Sequence, residues 1–534
     1  MLGMALGAPD VTYAQSAVTP PGSGTEADPY RISELGHLVW VSETLGGSSG
    51  QYYSLTADID ASPTASWNDP GTDTSVLEGF RPIGTYSDPD TTSFRGVFDG
   101  NGHTIRGLVV NRSLTDCGGL FGLVGADGQV RKLGLIGGAV TADAFVGGLV
   151  GENRGTISGC YASGAATGAS HVGNLVGINR YGTVSDCHTS GSITGRDFVG
   201  GLVGWSECGT VSGCHATGAV TGSQDVGGLA GVNYQGTVSS CRASGAVTGQ
   251  GYVGGLLGVN RQGKVSIAYA TGAVKGYYRL GGLVGAGLGG TLSTCFATGT
   301  VTGSSSDIGG LVGYDERGTV SISYGDMETS GLATSAGGTG KTTSEMKQQA
   351  TFVGWDFAAI WGIREDVTYP WLRSLDADGD GISDVQDDCG DSDLAATILI
   401  DGCDTGVVNQ PLGEGCTIAD EIAKAAAGAR NHGQFVSAVA HLTEAWLAAG
   451  RITDADKGRI QRCAGRADFD ADGDVDTSDF RHFHACFNGP NQRSAAARCE
   501  DADLDSDGDV DLIDFGRFQA CFNGLNRPPK CRPA

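Results

Sequence analysis

The sequence predicts a mainly β protein organised around a parallel β-solenoid of about eight coils, each of about 27 residues. Three recurring phrases predict it. A Gly-Gly-Leu-Val-Gly phrase begins at Gly118, Gly147, Gly173, Gly200, Gly227, Gly254, Gly281 and Gly309, in steps of 29, 26, 27, 27, 27, 27 and 28 residues. A second follows it, as in Gly155-Thr156-Ile157-Ser158 and Gly182-Thr183-Val184-Ser185. A third closes each unit, as in Thr217-Gly218-Ala219-Val220-Thr221-Gly222. Units this short bury an apolar face only against their neighbours, so they stack. Each holds three short runs rich in Val, Leu, Thr and Ser, set apart by glycines, and none has the length or period of a helix.

The repeats resemble the GLUG repeats of bacterial surface and secreted proteins over roughly Gly118 to Tyr324. The resemblance implies adhesin-like, extracellular company and no particular reaction. GLUG repeats also accompany an IgA-cleaving metallopeptidase, but no His-Glu-x-x-His occurs in this chain.

At 534 residues the chain is too long for one ordinary core, and the expected divisions are 1–24, 25–117, 118–330, 331–371, 372–389, 390–466 and 467–534. Its 91 glycines follow no Gly-X-Y period, which leaves tight solenoid corners as their use. The net charge of −26 argues against nucleic acid or an anionic membrane as partner. From Leu372 onward 30 acidic and 15 basic residues place −15 of that charge in the last 163 residues. No run of about 20 apolar residues is present to span a membrane.

Residues 1–24 read as a truncated signal peptide, with Thr12-Tyr13-Ala14 as a small-residue site, or as a leader ending in the linker Pro20-Pro21-Gly22-Ser23-Gly24. Residues 25–117 read as a β cap, because a bare first coil would present an unpaired strand edge. Within it, Asp99-Gly100-Asn101-Gly102 between apolar runs is a tight turn. Asp99 and His103 read as turn and surface residues rather than an acid-base pair.

In the repeats Cys160, Cys187, Cys214 and Cys241 stand 27 apart, continued by Ala268, Cys295 and Ser323. Stacked positions about 4.8 Å apart make this a ladder, and its exchange with Ala and Ser reads as a small buried slot rather than metal ligands or disulfides. Val184 and Cys187 have opposite strand parity, so a bend or bulge is expected between them. Two residues before each Gly-Gly step stand Phe145, His171, Phe198, Asp225, Tyr252, Arg279 and Asp307, a variable edge suited to a binding surface or to an exposed turn. The acids Asp143, Glu152, Asp186, Asp197, Glu207, Asp225, Asp307, Asp315 and Glu316 are scattered, and no single coil stands out as catalytic. Gly46–Gly50 fits Gly-x-Ser-x-Gly only within a Gly/Ser loop, and Gly337–Thr342 lacks the first glycine of a phosphate loop. Residues 331–371 read as a C-terminal cap or linker, with Phe352, Trp355, Phe357, Trp361, Tyr369 and Trp371 covering the last coil.

After Leu372 the chain turns acidic in a patterned way. Asp376, Asp378, Asp380, Asp384 and Asp387 take positions 1, 3, 5, 9 and 12 around Gly381, a hard-oxygen set for Ca2+. This stretch resembles a thrombospondin type 3 repeat ending in Cys389; a solvated acidic linker is the plain alternative. Asp468, Asp470, Asp472, Asp474, Asp476 and Asp479 set out a second loop, and Asp503, Asp505, Asp507, Asp509, Asp511 and Asp514 repeat it 35 residues later. Acids this dense repel one another without a cation, so Ca2+ is expected to be needed for folding. The pair resembles a type I dockerin, an EF-hand-like module, which implies Ca2+ binding and a cohesin-like partner. Thr477-Ser478 matches that family's recognition pair and Leu512-Ile513 departs from it, as do the short following helices.

Between these loops Cys416 to Ala467 reads as helical, with Asn431-His432-Gly433 as the turn joining two amphipathic stretches. Eight cysteines follow Asp388, an even number in small modules that points to disulfides and export. Cys486 with Cys499 and Cys521 with Cys531 are the expected pairs, each beginning in the same Ala-Cys-Phe-Asn-Gly unit. The whole reads as a secreted or cell-surface protein without catalytic residues. Its solenoid would bind a polysaccharide or surface protein, and its tail would tether it. The competing reading is a dockerin-bearing β-helix lyase or hydrolase.

Overall fold

A computed structural model describes residues 12–13, 16–44, 50–68, 77–85, 92–304, 307–375, 397–400, 403–413, 416–429 and 432–464, with 481, 484, 486, 487, 510, 512 and 515. The chain divides into two units, Met1–Leu375 and Asp376–Ala534.

The first unit is a parallel β-solenoid of about ten turns. One coil runs Thr156–Ser158, Tyr161–Ala162, Ala165–Thr167, Ser170–Gly173 and Val176–Arg180, and the next begins at Thr183. Register advances by one repeat at each step, so Ile157 pairs with Val184 and Val184 with Val211. Inward positions are therefore stacks of like residues: Ile157, Val184, Val211 and Val238 in one, Leu149, Leu175, Leu202 and Leu229 in another, all wholly buried.

The expected irregularity before the cysteine column is a corner. Asp186, Ser240, Ile267 and Thr294 adopt φ of 53, 52, 54 and 57°, and glycines hold this position at Gly159 and Gly213. One left-handed residue restores the parity, turning both Val184 and Cys187 inward. Cys160, Cys187, Cys214, Cys241 and Cys295 are buried and unpaired, and Cys187 donates its thiol to Ser185 O at 3.0 Å. Burial pushes the Cys295 thiol up to about 12, so it stays protonated and apolar.

The glycines of the repeat phrase are steric requirements. After Gly254-Gly255 the chain folds back, and strand Leu257–Arg261 runs with its backbone against that of neighbouring coils. A Cβ on Gly258 would lie 2.6 Å from Asp225 C, Gly231 O and Val226 N; one on Gly254 would lie 2.0 Å from Leu257 O. No side chain fits there.

A buried amide ladder lines the next corner, a feature the sequence reading missed. Asn153 donates to Asn179 Oδ1 at 2.8 Å and Asn233 to Asn260 Oδ1 at 2.9 Å. Asn179, Asn233 and Asn260 also donate to the carbonyls of Gly182, Gly236 and Gly263. Ser206 interrupts the column, and its hydroxyl and Asn233 Oδ1 are both buried without a hydrogen bond. The signal was present as Asn recurring in steps of 26, 54 and 27 residues, the middle step spanning Ser206.

The stack begins earlier than the Gly-Gly phrases. Strands Tyr30–Ile32, Tyr52–Leu55 and Val97–Asp99 pair in parallel with one another and lead to Gln129–Arg131, extending the same sheet. Helix Leu35–Thr44, absent from the sequence reading, adds Leu35, Leu38, Val39 and Val41 to the core. Asp99 accepts from the Asn101 amide at 2.9 Å and pairs with Arg131 at 2.8 Å, a turn residue as read. His103 lies 3.4 Å from Asp58.

At the far end the covering element differs from the expected one. Residues 330–341 cross the last coil: Leu332 packs on the core, Gly310 N donates to Thr334 O at 3.0 Å, and Thr339–Lys341 pairs with Tyr324–Asp326. The aromatic segment instead lies on the outward face, where Phe352, Trp355 and Trp361 cover Tyr269, Phe296 and Tyr324. The rings follow the ladder they stack on, because Leu283, Leu292, Cys295, Leu311 and Val312 already fill the coil interior. Asp326, fully buried, accepts from Thr343 Oγ1 at 2.8 Å and from Tyr369 OH at 2.7 Å, fastening this segment.

The second unit contains a hairpin, Thr397–Ile400 with Cys403–Val408, and helices Ile418–Gly428, His432–Ala448 and Asp454–Ala464. Ile418, Ile422, Phe435, Val439 and Trp446 meet in one core, as their spacing predicts. Cys403 is bonded to Cys463, a pair the sequence did not reveal; Cys416 and Cys486 are also disulfide-bonded. Cys499, Cys521 and Cys531 lie outside the described residues.

Two substitutions test this account by thermal melting. Gly258→Ala is expected to destabilise the solenoid by about 3 kcal/mol or more, since backbone rather than a movable side chain must yield. Ser206→Asn is expected to stabilise it by about 1 kcal/mol, by completing the amide ladder.

A candidate binding strip on one edge of the solenoid

The variable residues two before each Gly-Gly step occupy another left-handed corner. Phe145, His171, Phe198, Asp225, Tyr252 and Arg279 have φ between 53 and 58°. The corner turns each of these side chains outward, while the next residue (Val146, Val172, Val199, Val226, Val253, Leu280) enters the core. Beside them runs the in-register column Glu152, Ile178, Trp205, Val232, Val259, Ala286 and Tyr314.

The two columns merge into one strip. Val232, Val259 and Ala286 are buried beneath Phe198, Trp205, Tyr234, Tyr252 and Tyr314. Phe198 meets Trp205 edge to face, with centroids 4.9 Å apart at 87°, and His171 lies 4.7 Å from Phe198. Further along, the Arg279 guanidinium sits 4.8 Å from the Tyr252 ring and 4.1 Å from the Tyr314 ring. Arg279 also donates to Tyr252 OH and lies 3.7 Å from Asp307. At the other end buried Glu152 holds Arg154 at 2.7 Å and Arg180 at 3.4 Å, and Arg180 reaches Glu207 at 3.1 Å.

Asp225 stands between Phe198 and Tyr252 in the corner column. Burial, with a smaller contribution from Asp197, raises its carboxyl to about 6. No hydrogen bond acts on its carboxyl among the described residues.

A second outward ladder lies on the long face. Tyr161, His188 and His215 stack at 4.9 Å with rings within 6° of parallel, and the column continues to Arg242 and the covered Tyr269 and Phe296. Burial lowers His188 to about 4; burial, then Arg242 and His188, lowers His215 to about 3. In the strip, burial and then Arg180 lower His171 to about 4.

All the residues predicted to hold Ca2+, Asp376 to Asp387, Asp468 to Asp479 and Asp503 to Asp514, lie outside the described residues. Of that region Val510 is buried and Leu512 is exposed. No helix among the described residues is long and apolar enough to cross a membrane. Gly337–Thr342 is a strand and a helix cap: Thr342 accepts from the Glu345 amide and Lys341 pairs with Glu345.

With this geometry in view, the class is a solenoid of short, glycine-dependent coils. The family model "The GLUG motif" matches residues 222–248 and 276–302, so the chain carries GLUG repeats. Halomucin of Haloquadratum walsbyi is 37% identical over 144 residues, which are 27% of this chain and 2% of that protein. A protein of Evansella cellulosilytica, named as a Gly-rich membrane protein, is 38% identical over 150 residues, 28% of this chain and 16% of its own. The chain thus matches only a small part of either relative. A solved structure from Bacteroides ovatus, named as an immunoglobulin A1 protease, covers 66% of this chain and 94% of its own at 18% identity and a TM-score of 0.41.

His171, His188 and His215 stay neutral in the folded state, whereas the unfolded chain takes up protons below about 6.5. Their contribution is full above that pH and lost as it falls toward about 4 and 3. Asp225 opposes them, since its stabilisation is present below the ordinary carboxylate range and lost as pH rises through about 6. Three groups outweigh one, so the solenoid's melting temperature is expected to drop between pH 7 and pH 4.5. Replacing His188 and His215 with glutamine should flatten that drop.

Proposed function

We propose that the chain is a non-catalytic, secreted or cell-surface protein whose solenoid presents an elongated binding surface and whose C-terminal acidic loops bind Ca2+ in a tethering module. One observation supports the binding reading: the outward aromatic strip, repeated coil by coil, whose half-buried rings lie outside the solenoid core and on a patch of their own. Its variability fits the same reading. Positions that serve only the stack are held to Gly, Leu, Val or small residues, while this column carries Phe, His, Asp, Tyr and Arg.

The acids of the solenoid give a catalytic reading little support. Glu152 is buried and ion-paired, Asp186 belongs to a different corner from Asp225, and Asp197, the carboxyl whose charge reaches Asp225, is held by Arg196 at 2.8 Å. Hydrolysis of a glycosidic bond needs two carboxyls flanking one bond. The names of the partial relatives, a halomucin and a Gly-rich membrane protein, accord with a surface location. A cohesin-like partner for the tail follows from the dockerin resemblance alone.

Purified protein should be retained on immobilised polysaccharide or cell-surface material without creating new chain ends. Retention should fall in a Phe198→Ala, Trp205→Ala double variant. New ends in proportion to protein would overturn the non-catalytic reading. Calorimetric titration should show Ca2+ uptake, and chelation should lower the melting temperature of the second unit; a transition indifferent to both would overturn the Ca2+ reading.

A further inference from the structure

We propose that the strip holds an uncharged polysaccharide chain lying along the solenoid axis, with a sugar hydroxyl donated to Asp225. This rests on the strip being a binding surface and specifies what it takes. The shape selects a polymer: equivalent positions advance by about 4.8 Å per coil, so the seven coils from Phe145 to Asp307 make a row roughly 30 Å long. The rings select the apolar C–H faces of pyranoses, which the electron-rich faces of Phe198, Trp205 and Tyr252 attract.

Charge narrows the class. Arg154 and Arg180 are held by Glu152, Arg279 is enclosed between two tyrosines beside Asp307, and exposed Arg261 lies at the margin, 5.8 Å from the Tyr234 ring. Between Phe198 and Tyr252 the charge is the carboxylate of Asp225, on which burial and the charge of Asp197 act and no hydrogen bond does. A polyanion would meet an uncompensated negative charge there, whereas a neutral sugar would offer hydroxyl donors to it, a charge-assisted hydrogen bond. A peptide adding as a strand needs an open sheet edge. The strip lies within sheets whose strands pair from coil to coil, so it offers side chains and not backbone.

Affinity electrophoresis of the full chain through gels containing hydroxyethyl cellulose, glucomannan, alginate or polygalacturonate tests this. Retardation is expected from at least one of the two neutral polymers. Trp205→Ala and Tyr252→Ala should each weaken it about tenfold, and Asp225→Asn about three- to tenfold. Val353→Ala, exposed and away from the strip, should leave it unchanged, and melting curves confirm that each variant is folded. Retardation by the anionic gels alone, lost in Trp205→Ala, would overturn the neutral-glycan inference while keeping the strip as a binding surface. Neutral-gel retardation unchanged in Trp205→Ala and Tyr252→Ala would overturn the strip itself. Loss in the ring variants with Asp225→Asn unaffected would overturn the assigned hydroxyl contact. Retardation by none of the four gels overturns the proposal.

Discussion

The structure depends on one close approach: the backbone of each returning strand lies directly against the backbone of neighbouring coils at the Gly-Gly fold-back. Gly254 and Gly258 occupy space where a Cβ would sit 2.0–2.6 Å from main-chain atoms. These glycines do not have positive φ. Their requirement is room, and it explains why the phrase survives while its neighbours vary. Once the fold-back is fixed, Leu256 and Leu257 must point inward, the next residues must turn at the amide ladder, and the preceding corner must direct one side chain to solvent.

Two corner types divide the labour. The corner before the cysteine column accepts Gly, Asp, Ser, Ile or Thr and serves to restore parity in the core. The corner before Gly-Gly also costs a left-handed residue, about 1 kcal/mol or more each, yet it is occupied by large or charged side chains. Such strain is tolerated where the surrounding ladder determines the backbone. It leaves this column free to vary from coil to coil.

Much of the solenoid was legible because periodicity exposes it: the spacing of Gly-Gly-Leu-Val-Gly, the cysteine column and the parity conflict between Val184 and Cys187 each have a counterpart in the stack. The first coils were less legible. Tyr30–Ile32 and Tyr52–Leu55 pair in the same sheet without any repeated phrase, because bulky Phe94, Phe98 and Phe121 fill their core instead. Helix Leu35–Thr44 was hidden by valines and a tryptophan that suit a strand equally well; the need to close the first coil decides the matter. The strip was legible as a column and not as a surface, since nothing in a single repeat tells that Trp205 of one column abuts Phe198 of the other. The Cys403–Cys463 bond could not be read from eight cysteines whose connectivity spacing leaves open.

The cysteine column carries a consequence for biogenesis. Successive coils set its Cα atoms about 4.8 Å apart, inside the 4.4–6.8 Å that a cystine spans. Yet Cys160, Cys187, Cys214 and Cys241 are free thiols. In an oxidising compartment an unfolded chain would cross-link these four in any order, and most orders would forbid the stack. Closure of each coil over the last hides its thiol in the solenoid interior, out of reach of oxidant and of other chains. In such a compartment burial must outrun oxidation in these coils, whereas Cys403 and Cys463 need the oxidant, so the two units set opposite demands on the timing of the same chemistry.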